Sequence, residues 1–494
     1  MSLDTALLIA SSGLDAINRQ LAVVSQNVSN ASTPGYVEES LPLSSASASG
    51  MGMGVRSGPA QADVNTQLQA AAWQAQSGAS AANTTQTALS AIDQVAGSTG
   101  SANSIADLLG GLQDQLSSLE SSPSDQTAQR QVVLQAQQLA SAVNQLASAG
   151  ATQRQGAQDS LVSEVGQLNQ ALSQIGQLSN QIVQAQAQGQ STADLQQTRA
   201  QQISAATNLL GIQFAPQGNG GMQAIMGGIV LPLDATTGTV FQIGSATLSP
   251  NTPASAVPGI TMDGQDVTAQ LSGLGGSIGA NLQLRDQAMP QMQAELDEFS
   301  YTLASRFAAQ GLTLFTDGSG TVPAGGGTPA QSGYIGMAQT LQVNPAVTAN
   351  PGLVQQGTTG AATSSGSTTL LQNVLTYAFG ADSAAGVAQP PPTVAGLGVP
   401  GTIQARFAAP STLADFAAAI GSAQAQDSAA ATSNADTEQA TATAMQNKLS
   451  AASGVSMDAE LSHMVSLQNA YGANARVIAG VQSMWNDLLT AVTP

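Results

Sequence analysis

The sequence predicts a mainly α-helical protein with a β-rich insert. Two of the observations concern the chain ends, where apolar residues recur in the heptad pattern that is typical of coiled coils. A third concerns residues 212–275, where short β-type runs are separated by Gly, Pro and Asn-Gly turns. We therefore expect paired N- and C-terminal coiled-coil helices, an elongated helical-bundle body and a smaller outer β domain.

The amino-terminal helix is predicted from apolar positions that alternate in steps of four and three residues. These positions are Leu3, Leu7, Ala10, Leu14, Ile17, Leu21, Val24 and Val28. Asp15 and Arg19 are placed to support this helix as an exposed ion pair. The helix is predicted to stop before Pro34, because the residue before a proline is pushed out of the α region. Pro34 and Gly35 then suit the centre of a type II turn, and Tyr36 is a candidate anchor for the chain that leaves it.

A matching helix is predicted at the other end of the chain. Its apolar stripe also advances in steps of four and three residues. The stripe comprises Met457, Leu461, Met464, Gln468, Tyr471, Ala475, Ile478, Gln482, Trp485 and Leu489. Ser456 is placed to cap the helix, and Asp458 and Glu460 suit the positive end of its dipole.

Both stripes are predicted to form an assembly interface. Burying one stripe stabilises a helix of this length by less than the conformational entropy that is lost on ordering it. We therefore expect the terminal helices to become ordered by packing against neighbouring subunits.

Three domains are predicted from the order of these patterns. Residues 1–50 plus 451–494 form the terminal-helix coiled-coil domain. Residues 51–211 plus 276–350 plus 366–450 form a mainly helical body, apart from a Gly- and Ser-rich linker over 37–65. Residues 212–275 form the β-rich outer domain, to which 316–333 and 381–409 add loops.

The charge balance argues against nucleic acid as a partner. The chain carries 10 Lys and Arg against 29 Asp and Glu, a formal net charge of -19. It therefore has too few cations to form a basic patch that neutralises phosphates. No run of 18 apolar residues is present, so no membrane span is predicted.

The inventory of catalytic and metal-binding residues is poor. The chain has no Cys and a single His, His463, which we expect on an exposed or interfacial helix face. Glu295 and Glu298 lie three apart, and without further ligands they are predicted to be a solvated helix face. We therefore predict no catalytic residue, no metal site and no cofactor.

Two segments resemble a known family. The segment "NVSNASTPGY" at 27–36 resembles the amino-terminal signature of bacterial flagellar rod, hook and hook-associated axial proteins, through Asn27, Asn30, Thr33, Pro34, Gly35 and Tyr36. The segment "QNAYGANARV" at 468–477 resembles their carboxy-terminal signature, which includes Asn474 and Arg476. The internal segment 275–310 is similar to that of the hook-associated members at the junction between hook and filament.

The resemblance implies that the chain is a structural component of the flagellar axis and that it has no catalytic role. Such proteins assemble as homo-oligomers in a helical tube, whose innermost layer is the paired terminal helices. The implied partners are the hook protein, the next hook-associated junction protein, and a cytoplasmic export chaperone at the C-terminal helix. The implied location is extracellular, at the hook-filament junction of the flagellum, after export in unfolded form without a cleaved signal peptide.

Three alternatives stay open at the level of the sequence. A hook or distal rod protein of the same family would have a largely β middle. An extracellular enzyme displayed on the flagellum would need catalytic residues in its outer part, where 212–275 and 316–410 contain no His and few acids. A cytoplasmic coiled-coil scaffold would form a stable dimer through its terminal heptads.

Overall fold

Helices dominate the computed structural model, which describes residues 3–33, 36–48, 51–97, 103–233, 239–326, 329–359, 364 and 366–492. Within these ranges the helices are α1 (Leu3–Asn30), α2 (Thr66–Ala96), α3 (Ile105–Ser121), α4 (Gln126–Ala187), α5 (Ala193–Leu209), α6 (Thr268–Leu271), α7 (Gly276–Gln283), α8 (Met289–Ala309), α9 (Pro329–Ser332), α10 (Met337–Thr340), α11 (Pro345–Ala349), α12 (Leu353–Gln356), α13 (Thr369–Asn373), α14 (Leu413–Ser453) and α15 (Met457–Val492). A π-helical segment, Leu284–Ala288, joins α7 to α8, and another, Val374–Ala378, follows α13.

The strands are short and form small antiparallel sheets. They are β1 (Glu39–Ser40), β2 (Leu43–Ala48), β3 (Met51–Ser57), β4 (Gln61–Ala62), β5 (Gln213–Pro216), β6 (Met222–Met226), β7 (Ile229–Leu231), β8 (Phe241–Gln242), β9 (Thr261–Met262), β10 (Gln265–Asp266), β11 (Phe315–Thr316), β12 (Gln342–Val343), β13 (Asp382–Ala384), β14 (Val387–Ala388), β15 (Ala395–Leu397) and β16 (Ile403–Gln404). The three-stranded sheets have the orders β5-β6-β7 and β10-β9-β8. The prediction of a mainly α protein with long terminal helices and small β elements is confirmed.

The chain divides into two compact units. Unit 1 contains Met1–Ala79, Gly166–Val240 and Glu438–Pro494, and unit 2 contains Ser80–Val165 and Phe241–Thr437. The segment 212–275, for which the sequence predicts one β domain, contributes β5–β7 to unit 1 and β8–β10 to unit 2. Each half of the segment therefore packs with the helices of its own unit.

In unit 1, residues 37–65 form strands where the sequence predicts a linker. Strands β2 and β3 pair as a hairpin from Leu43↔Ser57 to Ala48↔Met51. The hairpin lies on α1, where the backbone N–H of Val55 donates to the hydroxyl of Ser12 at 3.1 Å. Sequence alone does not predict this, since small side chains form strands there only because α1 offers a surface to pack on.

The core of unit 2 surrounds α8. Phe299 packs edge to face on Phe416 of α14, with ring centroids 5.4 Å apart, and Phe307 does the same with Phe315 and Phe379. Burial of these aromatic side chains contributes the largest share of apolar area per residue.

The acidic face of α8 corrects one prediction. Glu295 and Glu298 are buried in the core of unit 2, so the prediction of a solvated helix face is wrong. The guanidinium Nε of Arg406 donates to both oxygens of Glu295 at 3.0 and 3.1 Å, and the backbone N–H of Thr393 donates to Glu298 at 2.7 Å. Asp297, between them in sequence, accepts backbone N–H groups near α10. These carboxylates are buried because they hold the hairpins and loops that cover α8.

Two loop predictions can be placed in unit 2. Within 316–333 the structure has the end of β11 and the short helix α9. Within 381–409 it has two hairpins, β13-β14 and β15-β16. No helix of the described residues is long and apolar enough to cross a membrane.

Candidate assembly interface

Helices α1 and α15 pack against each other in unit 1 and run antiparallel. Near one end the side chains of Asn27 and Glu460 are hydrogen-bonded, and further along, a Cβ placed on Gly13 would lie 3.4 Å from the amide of Asn474. Gly13 thus lets the two helices approach closely at this point. The predicted pairing of the terminal helices is therefore confirmed.

The predicted stripe of α1 faces α15 over most of its length. Ile17 and Val24 are buried with Leu467 of α15 in a small apolar cluster. Ala10 is buried as well, and Leu7 is exposed. The other members of the stripe are half-buried: Leu3, Leu14, Leu21 and Val28. The heptad count on α1 therefore locates the face that the same chain covers.

The predicted stripe of α15 lies elsewhere. The side chains that turn toward α1 belong to a neighbouring stripe, which consists of Glu460, Met464, Leu467, Ala470, Asn474, Ile478 and Val481. Only Met464 and Ile478 belong to both stripes. Because α15 has apolar residues on two sides, periodicity alone does not tell which side faces its own chain.

Most of the predicted stripe of α15 is therefore solvent-exposed. Its exposed members are Met457, Leu461, Gln468, Tyr471, Ala475, Gln482, Trp485 and Leu489. Val465, Val477, Met484 and Leu488 add further exposed apolar area to the same helix. Val477, Met484 and Leu488 lie on another side of the helix. The exposed members of the predicted stripe, together with Val465, which follows Leu461 by four residues, form what we call the outer stripe of α15. Contiguous exposed apolar surface of this kind is typical of an interaction site.

Asn27 lies at the centre of a buried hydrogen-bond network and is 1% exposed. Its amide Nδ2 donates to the backbone carbonyl of Glu39 and to Oε1 of Glu460, both at 2.9 Å. Its Oδ1 accepts the backbone N–H of Glu39 at 3.0 Å and the hydroxyl of Tyr36 at 3.1 Å. An amide offers two donors and can accept two bonds, so Asn27 is fully satisfied. It joins α1, β1 and α15.

The turn after α1 can be described only in part, because Pro34 and Gly35 lie outside the described residues. The backbone N–H of Tyr36 donates to the carbonyl of Thr33 at 3.1 Å, and that of Thr33 to Asn30 at 2.8 Å. The Tyr36 side chain extends back to Asn27, to which its hydroxyl donates.

The other signature residues are less enclosed. Asn30 donates through its side chain to the carbonyl of Gln26 at 3.1 Å, within α1. Asn474 donates to the carbonyl of Ala470 at 3.3 Å and lies at the close approach to Gly13. Arg476 is exposed. The structure thus gives Asn27 and Tyr36 partners on other elements, whereas Asn30 and Asn474 bond within their own helices.

Negative charge accumulates around Asn27. Burial, together with the nearby Asp194, raises the pKa of Glu39 above its usual range. Burial also raises the pKa of Glu38, and the charges of Glu460 and Asp63 add to this effect. The pKa of Tyr36 is raised by burial and then by Glu39. These shifts have one cause, which is carboxylates gathered where water is partly excluded.

Sequence reasoning missed the role of two acids in this network. Glu39 lies in a segment predicted to be a linker, and Glu460 is predicted only as a helix-dipole partner. No local sequence pattern indicates either role, because the partner of both acids is Asn27, on a different element.

The described residues contain no group of three or more His, Cys, Asp or Glu side chains that could hold a metal ion. The site consists of a packed helix pair, an exposed apolar stripe and a buried amide. This arrangement suits protein–protein contact.

Three family descriptions match this chain. The "Flagellar hook-associated protein FlgK helical domain" matches residues 89–321. The "Flagellar basal body rod FlgEFG protein C-terminal" matches 445–491, which includes α15, and "Flagella basal body rod protein" matches 7–36, which includes most of α1.

Among solved structures, the chain is similar to the flagellar hook junction protein FlgK from Burkholderia pseudomallei, with 24% sequence identity and a TM-score of 0.40. That match covers 52% of this chain and 46% of the Burkholderia protein, so it spans less than half of that relative's length. No curated protein sequence matches the chain. With both terminal signatures and the intervening helical domain matched, the chain belongs to the family of bacterial flagellar rod, hook and hook-associated axial proteins, and its helical domain is of the hook-associated FlgK type.

Proposed function

We propose that this chain is a structural component of the flagellar axis that forms the junction between hook and filament. It assembles with copies of itself in a helical tube, and the terminal helices form the contacts. The outer stripe of α15 is the observation that carries this proposal, because the chain's own α1 leaves those apolar side chains exposed.

The proposal places the chain at the hook-filament junction rather than in the hook or the rod. The FlgK-type helical domain over 89–321 supports a hook-associated position. A hook or distal rod protein is the alternative within the family, and it would have a largely β middle. Here α2 to α5 account for most of residues 66–209, which favours the junction.

The proposed partners follow from that place. They are the hook protein on one side, the next hook-associated junction protein on the other, and an export chaperone that holds α15 in the cytoplasm. The exposed apolar stripe is a suitable surface for such a chaperone, since it otherwise invites aggregation before export. The chain is proposed to leave the cell unfolded, without signal cleavage, and to have no catalytic role.

Labelling of flagella tests the place of the protein. The chain is expressed in a strain whose own copy has been deleted. Antibody against the chain is then expected to mark only the boundary between hook and filament. Label along the hook or below it would favour the hook or rod alternative.

Removal of residues 457–494 tests the contact. The truncated chain is expected in the culture medium or in the cytoplasm but not in the flagellum. Full incorporation of the truncated chain would contradict the role given to α15.

A further inference from the structure

Five carboxylates gather near Tyr36 and Glu38, beside the buried amide of Asn27, and we call them the acidic recess: Glu38, Glu39, Asp63, Asp194 and Glu460. Glu39 and Glu460 are buried, whereas Asp63 and Asp194 are exposed at the rim. Among the described residues, no Lys or Arg forms an ion pair with any of the five. The imidazole of His463 acts on Glu38, whose pKa it lowers, so a single histidine faces five carboxylates and the recess keeps an excess of negative charge.

One carboxylate oxygen of the recess also lacks a hydrogen-bond donor. Oε1 of Glu460 accepts the Asn27 amide, but Oε2 is buried and has no hydrogen-bond partner among the described residues. A buried carboxylate oxygen without a donor is costly, and such a group in a native protein calls for an explanation. The carboxylates do not converge as metal ligands. A cationic side chain is the donor that this arrangement fits.

Arg476 lies on the outer stripe's side of α15. It is exposed and forms no ion pair within the described residues. It follows Val465 by about three helical turns, so both side chains lie on one face of the helix. A neighbouring copy that covers this face buries Arg476 as well, and a buried cation is tolerated only when it is paired.

The acid that pairs with Arg476 must come from another copy. Glu460 lies about 24 Å away along the same helix, at about 1.5 Å per residue, which is far beyond the reach of an arginine side chain. Of the other arginines in unit 1, Arg19 pairs with Asp15, Arg199 is buried, and Arg56 is exposed but lies on the β2-β3 hairpin rather than on α15.

We propose that Arg476 of one copy enters the acidic recess of a neighbouring copy. Its guanidinium forms charge-assisted hydrogen bonds with Asp63 and Asp194 at the rim and compensates the charge of Glu38 and Glu460 behind them. The inference rests on the proposed function, because it presupposes contact between copies through α15. The charge pair fixes the position of one copy relative to its neighbour, whereas apolar contacts alone would let the two copies slide.

Charge reversal tests the pairing. The measured quantity is the fraction of exported chain that remains in sheared flagella rather than in the culture medium, so that export defects do not enter it. Arg476→Glu is expected to lower the ratio of retained to released chain roughly tenfold or more, as is usual when one partner of a buried charge pair is lost. Asp63→Arg with Asp194→Arg is expected to lower it similarly. Combining all three substitutions is expected to restore retention.

Two controls make the outcome specific. Arg56→Glu makes the same charge change at another exposed arginine of unit 1 and is expected to leave retention unchanged. Circular dichroism of each variant checks that the helix content of the chain is unchanged, and amide hydrogen exchange checks α15 itself. Retention of Arg476→Glu at the level of the unmodified chain, or no rescue by the triple variant, would overturn the pairing. If the unmodified chain itself is not retained, the proposed function fails instead.

Discussion

The side-chain amide of Asn27 donates to Oε1 of Glu460 at 2.9 Å, although 433 positions separate the two residues in the chain. One belongs to the last turns of α1 and the other to the first turn of α15. This bond closes the chain on itself at the base of the terminal helix pair. The exposed outer stripe of α15 begins beside it, at Met457 and Leu461.

Replacing Asn27 by Ala removes two donors and an acceptor that serve four partners. We expect α1 to lose about 1 to 3 kcal/mol of stability, because buried polar groups on Glu39 and Glu460 are left unpaired. Amide hydrogen exchange in α1 and α15 measures this loss locally. Asn30→Ala is the matched control, since Asn30 bonds within its own helix, and an equal loss in both variants would contradict the role of Asn27.

Gly54 is expected to be essential to the seating of the β2-β3 hairpin on α1. It has a φ of 111°, and a Cβ there would lie 1.9 Å from the hydroxyl oxygen of Ser12. Gly54→Ala should cost about 1 to 3 kcal/mol through strained backbone and steric overlap. Gly52, in the same strand, has no neighbouring atom within 4 Å of such a Cβ. Gly52→Ala should therefore change the melting temperature little, and similar shifts for both variants would refute the close contact.

The stability of unit 2 should depend on pH through Asp297. Burial raises the pKa of Asp297 to about 7, although it accepts the backbone N–H groups of Gly336 and Ala338 at 2.8 and 2.9 Å. In the unfolded chain the pKa is about 3.9, so the folded state keeps a proton that the unfolded state has lost. The contribution is full below about pH 4 and is lost as pH rises toward 7, at up to about 1.4 kcal/mol per pH unit.

Asp297→Asn isolates that contribution from the other carboxylates. The free energy of unfolding of the unmodified chain, minus that of the variant, is expected to fall between about pH 4 and 7. Parallel pH profiles of the two proteins would indicate that Asp297 keeps its ordinary pKa.

A further prediction concerns the order of the terminal helices. Before assembly we expect α1 and α15 to exchange amide hydrogens faster than α8, because the pair is held together by a small apolar cluster around Ile17, Val24 and Leu467. Assembly into flagella should slow this exchange. Equal protection of α15 and α8 in the isolated chain would contradict ordering by assembly.

Much of the fold could be predicted from periodicity. The steps of four and three residues located α1 and α15. Thr412 precedes α14, and its hydroxyl accepts the backbone N–H of Asp415 at 3.0 Å, which is a local capping bond. Asn-Gly and Pro turns indicated short strands between the helices. Such signals are local, so they survive without knowledge of tertiary contacts.

What could not be predicted depends on partners distant in sequence. Glu295 and Glu298 were predicted to lie on a solvated helix face. Each is buried instead, because Arg406 and Thr393, about a hundred positions away, supply hydrogen-bond donors. Glu39 was predicted to lie in a linker because β1 forms only by pairing with β4 and by bonding to Asn27. The sequence did not distinguish the outer stripe of α15 from the stripe that faces α1. Both have the same period, and only the position of α1 tells them apart.

The central claim is that the outer stripe of α15 carries assembly, and a pair of substitutions tests it most directly. Leu461 is 48% exposed on the outer stripe, whereas Leu467 is 6% exposed against α1. Of the two, only Leu467→Ser should lower the protection of α1 and α15 in the isolated chain.

The decisive measurement is the fraction of exported Leu461→Ser chain that remains in sheared flagella. We predict that this fraction falls well below that of the unmodified chain while the isolated variant stays as stable. Retention equal to that of the unmodified chain would contradict the account.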